Sequence, residues 1–151
     1  LTFISRFSKS NRILDYGCGT GILGIASKKL FKKSKVTFVD IDEDAVKLTK
    51  ENLKLNNILL KKVYLTNSYH SNKYTKKQFY DLIFANILFG PLKKLAPLFS
   101  LITKPNSILI LSGLLIEQIP YMINWYNKYG FKEKKIFYLK GWGSVIMMRN
   151  R

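Results

Sequence analysis

Seven residues constrain this chain more than any other stretch: Asp15-Tyr16-Gly17-Cys18-Gly19-Thr20-Gly21. They lie between a short apolar run, Arg12 to Asp15, and a segment in which Ile22, Ile25, Ala26 and Leu30 recur at helical spacing up to Phe31. Glycine at alternate positions lets the backbone leave a strand in a sharp bend and approach a ligand closely, because no Cβ intervenes. The helix that follows then presents unpaired N–H groups and a positive dipole end toward whatever is bound. Strand, glycine turn and helix in that order open a β-α-β unit, and the rest of the chain continues the alternation.

Lys35 to Asp40 reads as a β-branched strand, and Glu43 to Asn56 as a helix with acidic residues in its first turn and lysines further along. Lys61 to Leu65 is a short strand, and Thr66 to Gln78 a polar loop. Asp81 to Ala85 is another strand. Asn86 to Gly90 leads into Pro91, suited to a helix's first turn, and Pro97 predicts a kink or restart further along. Ser107 to Leu111 has the uniform apolarity of a strand buried on both faces. Glu117 to Tyr129 is helical and stops at Gly130. Lys134 to Leu139 and Ser144 to Met148 form an antiparallel pair around Gly141-Trp142-Gly143. Leu1 to Phe7 reads as the last turns of a helix. The pattern predicts an α/β sandwich with a mainly parallel sheet, its ligand beyond the C-terminal ends of the strands.

Composition narrows the class. At 151 residues the chain fits one domain, and Cys18, its single cysteine, excludes a disulfide framework and a multi-cysteine zinc site. No metal site is expected. No apolar run reaches the length of a membrane span, and the N-terminus lacks the order of a signal peptide, so a cytoplasmic address with no membrane partner is expected. The first residue is leucine rather than methionine, which reads as a fragment of a longer protein.

The net charge of +17 favours polyanionic surroundings, including weak nonspecific contact with RNA through a basic surface. The lysine pairs are spread along the chain and lysine dominates over arginine, so a solvated surface is the plainer reading. The acidic side is more informative, since Asp40, Asp42, Glu43 and Asp44 fall within five residues.

Two frames fit the glycine loop. Gly19, Gly21 and Gly24 satisfy the dinucleotide pattern, but that pattern begins tight against its strand, whereas Gly19 lies four residues beyond Asp15. The frame from Asp15, Asp-x-Gly-x-Gly-x-Gly, resembles the first motif of class I S-adenosylmethionine-dependent methyltransferases. The resemblance implies that Gly17, Gly19 and Gly21 wall the methionine and ribose part of that cofactor. Asp15 would hold its amino group or support the loop. Asp40, at the end of the second strand, is placed to accept from both ribose hydroxyls, a feature that dinucleotide folds share. Ile41 could pack on the adenine. Asp42 to Asp44 serve the helix N-terminus. Asn67 or Ser68 could meet the adenine edge.

A second stretch, Asn86-Ile87-Leu88-Phe89-Gly90-Pro91-Leu92, resembles the Asn-Ile-Leu-x-Gly-Pro-Leu motif of the PrmA family, bacterial methyltransferases of ribosomal protein L11. The likeness continues through Ile13 to Ile25, Val39 to Ala45, Asp81 to Leu98 and Leu111 to Leu115, and extends to Trp142. It implies a Rossmann-like class I methyltransferase sandwich: a mainly parallel seven-stranded sheet, an antiparallel C-terminal strand pair, and helices on both faces. It also implies methylation of amino groups, lysine side chain or N-terminal amine, on a ribosomal protein. Asn86 would lie beside the sulfonium methyl and orient the incoming nitrogen, with the loop to Leu88 walling the acceptor channel.

The alternatives are a class I methyltransferase of RNA, glutamine or a small molecule, and a non-catalytic RNA-binding module of the same fold. Glutamine and nucleobase N-methyltransferases typically show Asn-Pro-Pro-Tyr where this chain has Ile87 and Leu88. A plain turn role for Asn86 is the other possibility. His70 lies in the polar loop and reads as a surface residue, Cys18 as a small loop filler, Trp125 as helix packing, and Trp142 as either core or channel wall. Two family features are not found in the 151 residues: an N-terminal substrate-recognition domain and a Gly-Thr-Gly-x-His-x-Thr-Thr segment. The expectation is one domain, 1–151, that keeps the cofactor pocket and recognises its substrate poorly.

Overall fold

The structure is a computed structural model that describes residues 12–59, 62–66 and 79–150. Among these, β1 (Arg12–Tyr16), α1 (Ile22–Leu30), β2 (Lys35–Asp40), α2 (Glu43–Leu55), β3 (Val63–Leu65), β4 (Tyr80–Asn86), α3 (Phe89–Leu101), β5 (Thr103–Leu115), α4 (Ile119–Asn127), β6 (Phe131–Leu139) and β7 (Trp142–Arg149) follow in chain order. The expected helix at Leu1 to Phe7 and the residues Asn67, Ser68 and His70 lie outside the described residues.

The strands form one seven-stranded sheet in the order β3-β2-β1-β4-β5-β7-β6. Pairings from β3 to β5 are parallel, and β7 runs antiparallel to both β5 and β6. The chain therefore reverses direction of travel between β1 and β4, which is the topological switch point where α/β sheets bind ligands. The doubly buried strands alternate between two apolar layers. Ile13, Phe38, Leu82, Phe84 and Ile108 join Ile25 of α1 and Leu53 of α2 on one face. Leu14, Ile83, Leu109, Leu111 and Val145 join Leu92, Leu95 and Phe99 of α3 and Met122 and Tyr126 of α4 on the other.

Several elements depart from the sequence reading: β5 extends to Thr103 and Leu115, β6 starts at Phe131, and three others differ in kind. The helix through Pro97 is continuous from Phe89 to Leu101. Proline lacks the N–H that would donate to the Lys93 carbonyl, and Trp125 Nε1 from α4 donates to that carbonyl instead, at 2.9 Å. Tyr126 Oη donates to the adjacent Leu92 carbonyl at 2.8 Å, so α4 holds the helix where the proline weakens it. The helix expected from Glu117 begins as a 3₁₀ turn at 116–118 and ends at Asn127, before Gly130. The C-terminal hairpin turns at Lys140-Gly141, both with positive φ (48° and 83°), the two-residue turn that suits strand twist. Trp142 and Gly143 belong to β7 rather than to the turn.

Candidate functional site

Strand register brings the site together. Tyr16 pairs with Val39 on one side and Ala85 on the other, so the next residues, Asp40 and Asn86, flank the start of the glycine loop. Asn86 pairs in turn with Ser112 of β5. With two strand spacings between them, Asp40 and Asn86 stand about 10 Å apart along the C-terminal edge of the sheet. Gly17, Gly19 and Gly21 lie between them.

The loop is anchored to β2. The N–H groups of Gly17 and Cys18 both donate to the Val39 carbonyl, at 2.8 and 3.1 Å. Gly19 N–H donates to Asp40 Oδ2 at 2.8 Å, while Asp40 Oδ1 accepts from Ile41 N–H at 2.7 Å and Asp42 N–H at 3.1 Å. The Asp40 carboxylate is thus fixed by three main-chain donors and keeps accepting capacity beyond them. Ile41 is 74% exposed beside it. Asp42 caps α2 by accepting from Asp44 N–H, as the sequence indicates.

All three loop glycines have φ between +53° and +76°, the left-handed region that favours glycine. Their surroundings differ. A Cβ on Gly17 would lie 2.3 Å from Ile87 Cγ2, and one on Gly21 would lie 3.0 Å from Thr49 Cγ2. A Cβ on Gly19 would meet none of the described residues within 4 Å. The described residues pack against both ends of the loop and not against its middle.

Asp15 is 2% exposed, and its Oδ2 accepts from Gly24 N–H at 2.8 Å. Gly24 is the third residue of α1, whose N-cap, Gly21, has no side chain to offer, so Asp15 supplies the missing acceptor from the preceding strand. Of the two roles open to Asp15, its contacts are those of loop support. Burial pushes its carboxyl up to about 7, the negative charge of Asp40 adds to that, and the Gly24 bond opposes it.

Asn86 is exposed at the end of β4. Beside it a bulge in β5 places Gly113, with φ +79°, so close that a Cβ there would lie 2.8 Å from the Ile87 carbonyl and 3.3 Å from Asn86 Oδ1. Cys18 is buried, with its thiol pushed up to about 12 chiefly by burial, which suits a loop filler and not a nucleophile.

Three residues that the sequence reading passes over belong to this site. Thr49 and Asn52 of α2 hydrogen-bond the glycine loop, and Gly113 admits the chain at 86–87. Thr49 carried a signal, since it is a hydroxyl within the buried stripe Val46, Thr49, Leu53.

The site's charge is distinctive. The chain has 26 lysines and arginines, yet none falls within residues 13–27, 36–46 or 79–92, the three segments that meet here. An anionic phosphate would find no cation in these segments, whereas a cationic ligand finds the Asp40 carboxylate. Two of the dispersed lysines do converge elsewhere: Lys93 and Lys128 stand over the Trp125 ring at 4.6 and 5.4 Å, in a groove between α3 and α4. Among the described residues no cluster suits a metal ion, and no helix is long and apolar enough to cross a membrane.

The chain resembles known proteins along most of its length. The family profile described as Ribosomal protein L11 methyltransferase (PrmA) matches residues 1–150. A curated Ribosomal protein L11 methyltransferase from Hydrogenovibrio crunogenus is 41% identical over 120 residues, 80% of this chain and 38% of that protein. One from Prochlorococcus marinus is 35% identical over 141 residues, 92% of this chain and 46% of that protein. Among solved structures, ribosomal protein L11 methylase from Lactobacillus delbrueckii subsp. bulgaricus superposes with a TM-score of 0.81 at 26% identity, covering 99% of this chain and 78% of that one. A methyltransferase from Pyrococcus furiosus, with a TM-score of 0.80 at 20% identity over 99% of this chain and 81% of that one, shares the fold. The chain spans about two fifths of the length of the curated relatives it matches.

Proposed function

Since this chain belongs to the ribosomal protein L11 methyltransferase (PrmA) family, we propose that it binds S-adenosylmethionine at the glycine loop and transfers its methyl group to amino groups of a ribosomal protein, at lysine side chains or an N-terminal amine. The observation that carries the reading is the Asp40 carboxylate, pinned against a Gly19 that no described residue crowds, with Asn86 ending the strand on the other side of β1.

The residues fit that cofactor. Among the described residues no atom lies within 4 Å of where a Gly19 side chain would stand, which leaves room for a ligand against the backbone. Asp40 has acceptor capacity for two vicinal hydroxyls, and Ile41 offers an exposed apolar surface for an adenine. Asp15 supports the start of α1 beneath the loop through Gly24 N–H, and Asp40 is the carboxylate beside the loop for a molecule with an ammonium and a sulfonium but no phosphate. When bound, the cofactor supplies an activated methyl group on positively charged sulfur, so the hardest part of the chemistry is its own.

What remains for the protein is alignment. Asn86 Oδ1 can accept from an N–H of the incoming amine and fix the direction of its lone pair. Ile87 packs on Gly17, and the 86–87 chain rests on Gly113, so the gate and the cofactor loop keep one mutual geometry. The amine must arrive neutral, although a free lysine holds its proton to about pH 10.4. Leu88 and Trp142 are exposed apolar side chains, and walls built from them once substrate is seated would favour the uncharged form. Recognition of the substrate protein is assigned to segments outside these 151 residues, in keeping with the greater length of the relatives. A cytoplasmic setting fits a ribosomal protein substrate, and contact with RNA stays weak and nonspecific.

Calorimetric titration with S-adenosylmethionine tests the cofactor, and transfer of labelled methyl groups to purified ribosomal protein L11 tests the acceptor. A folded sample that binds no cofactor overturns the proposal. Cofactor binding with label transferred to RNA or free glutamine in place of the protein keeps the chemistry and replaces the substrate.

A further inference from the structure

The glycine loop is restrained from a direction its motif does not specify. Gly19 is held at both ends of its residue: its N–H by Asp40, and its carbonyl by Thr49 Oγ1, which donates to it at 2.9 Å. The next carbonyl, that of Thr20, accepts from Asn52 Nδ2 at 2.8 Å. Thr49 and Asn52 are three residues apart on α2 and therefore on one face, turned toward the loop. Thr49 is fully buried and also lies 3.4 Å from Cys18 Sγ. A hydroxyl has one proton and the Gly19 carbonyl can only accept, so the Cys18 thiol is the donor in that contact. The resulting chain runs from Cys18 S–H to Thr49 O–H to the Gly19 carbonyl, with Asn52 alongside. It gives the buried thiol a partner and ties the loop to α2 at consecutive carbonyls.

This matters because the three loop glycines are free to adopt many backbone conformations in the absence of restraint. A loop that occupies its binding geometry for only a fraction of the time binds more weakly by that fraction. We infer that Thr49 and Asn52 are positioning residues for the cofactor: from α2 they hold Gly19 and Thr20 in the conformation that opens the loop's middle to the nucleoside. The inference rests on the cofactor reading given above. It extends that reading to a helix that contributes no motif.

The test uses Thr49→Val, which keeps the shape and removes the hydroxyl, Thr49→Ser, which restores it, and Asn52→Ala at a partly exposed position. Thr49→Val is expected to weaken S-adenosylmethionine binding about tenfold, as loss of one hydrogen bond of about 1.4 kcal/mol implies, and Thr49→Ser to return it within about twofold. Asn52→Ala is expected to weaken it several-fold. In methyl transfer the KM for cofactor rises while kcat at saturation stays within about twofold. Amide exchange at Gly19 to Gly21 in the ligand-free protein accelerates in Thr49→Val and Asn52→Ala, a readout independent of the cofactor. If Thr49→Val does not fold, Asn52→Ala and Thr49→Ser carry the measurement. Unchanged loop exchange in Asn52→Ala, or wild-type affinity in both hydroxyl-deleted and amide-deleted chains, overturns the inference. Accelerated exchange with no cofactor binding by the wild type leaves the clamp standing and removes the cofactor reading.

Discussion

Replacing Asp40 by asparagine changes one oxygen for an amino group and leaves the shape of the side chain intact. The carboxylate accepts from three main-chain donors on two sides, Gly19 N–H at Oδ2 and the N–H groups of Ile41 and Asp42 at Oδ1. An amide has one accepting oxygen, so it can serve only one side. Turned toward Ile41 and Asp42 it leaves its NH₂ facing the Gly19 N–H, and turned the other way it opposes two donors. The first arrangement loses less and is the one expected. A hydrogen bond to a charged group contributes about 1.5–3 kcal/mol, so loss of the Gly19 bond lowers stability by about 2 kcal/mol. For a chain of this size that corresponds to a fall in Tm of about 4–8 °C. On the proposed reading, in which Asp40 accepts from the ribose hydroxyls, the same exchange removes charge and accepting capacity there, and another 1.5–3 kcal/mol is expected to weaken S-adenosylmethionine binding about 10- to 150-fold. Scanning calorimetry and titration with S-adenosylmethionine read the two effects separately. Asp42→Asn is the control, because Asp42 Oδ1 accepts only from Asp44 N–H at the helix start, and it should leave affinity within about twofold. Wild-type affinity and Tm in Asp40→Asn would refute the reasoning, since both rest on the same pinned carboxylate.

Asp15 carries a pH dependence. Its folded carboxyl lies near 7 against 3.8 ordinarily, so between those values the native protein holds a proton that the unfolded chain has released. This group's contribution to stability is therefore fullest below about pH 4, declines as pH rises, and levels off above about 7. Asp15→Asn keeps an acceptor for Gly24 N–H and abolishes the slope, so denaturation midpoints from pH 4.5 to 8.5 should move in the variant's favour as pH rises. Gly17→Ala should destabilise by about 1–3 kcal/mol, since it adds a Cβ 2.3 Å from Ile87 Cγ2 at positive φ. Combining it with Ile87→Ala should recover part of that midpoint loss, less than additively. Trp125→Phe should lower stability by about 1–3 kcal/mol by leaving the Lys93 carbonyl without its donor, and adding Pro97→Ala should recover part of it by restoring a main-chain N–H.

Local chemistry was legible in the sequence where it depends on neighbours along the chain. Asp15 to Gly21 declare a strand, a bend and a helix start, Asp40 ends its strand at the right level, and Asp42 caps its helix, all through residues a few positions apart. Features set by contacts across the fold were not legible. Pro97 reads as a break because its missing N–H is local, while the indole that compensates lies 28 residues further on. Gly113 carries no local signal of its role, and its meaning depends on the bulge that brings it against Asn86 and Ile87. Thr49 was visible as a hydroxyl in an apolar stripe, but its partner on the glycine loop is not implied by α2. The antiparallel pair at the end of the chain was readable from alternation and Gly141. The insertion of β7 between β5 and β6 was not, because order within a sheet is settled by side-to-side packing and not by sequence order.

That insertion governs how the molecule can be completed during synthesis. β6 is made before β7 but cannot join the sheet without it, since β7 is the only described strand that bridges β6 to β5. Until residues 142–149 leave the ribosome, β5 presents a bare main-chain edge and β6 has no neighbour to pair with. The nascent protein therefore waits with its most adhesive strand uncovered, and a chain released just short of this point would be a candidate for clumping and for quality-control proteolysis.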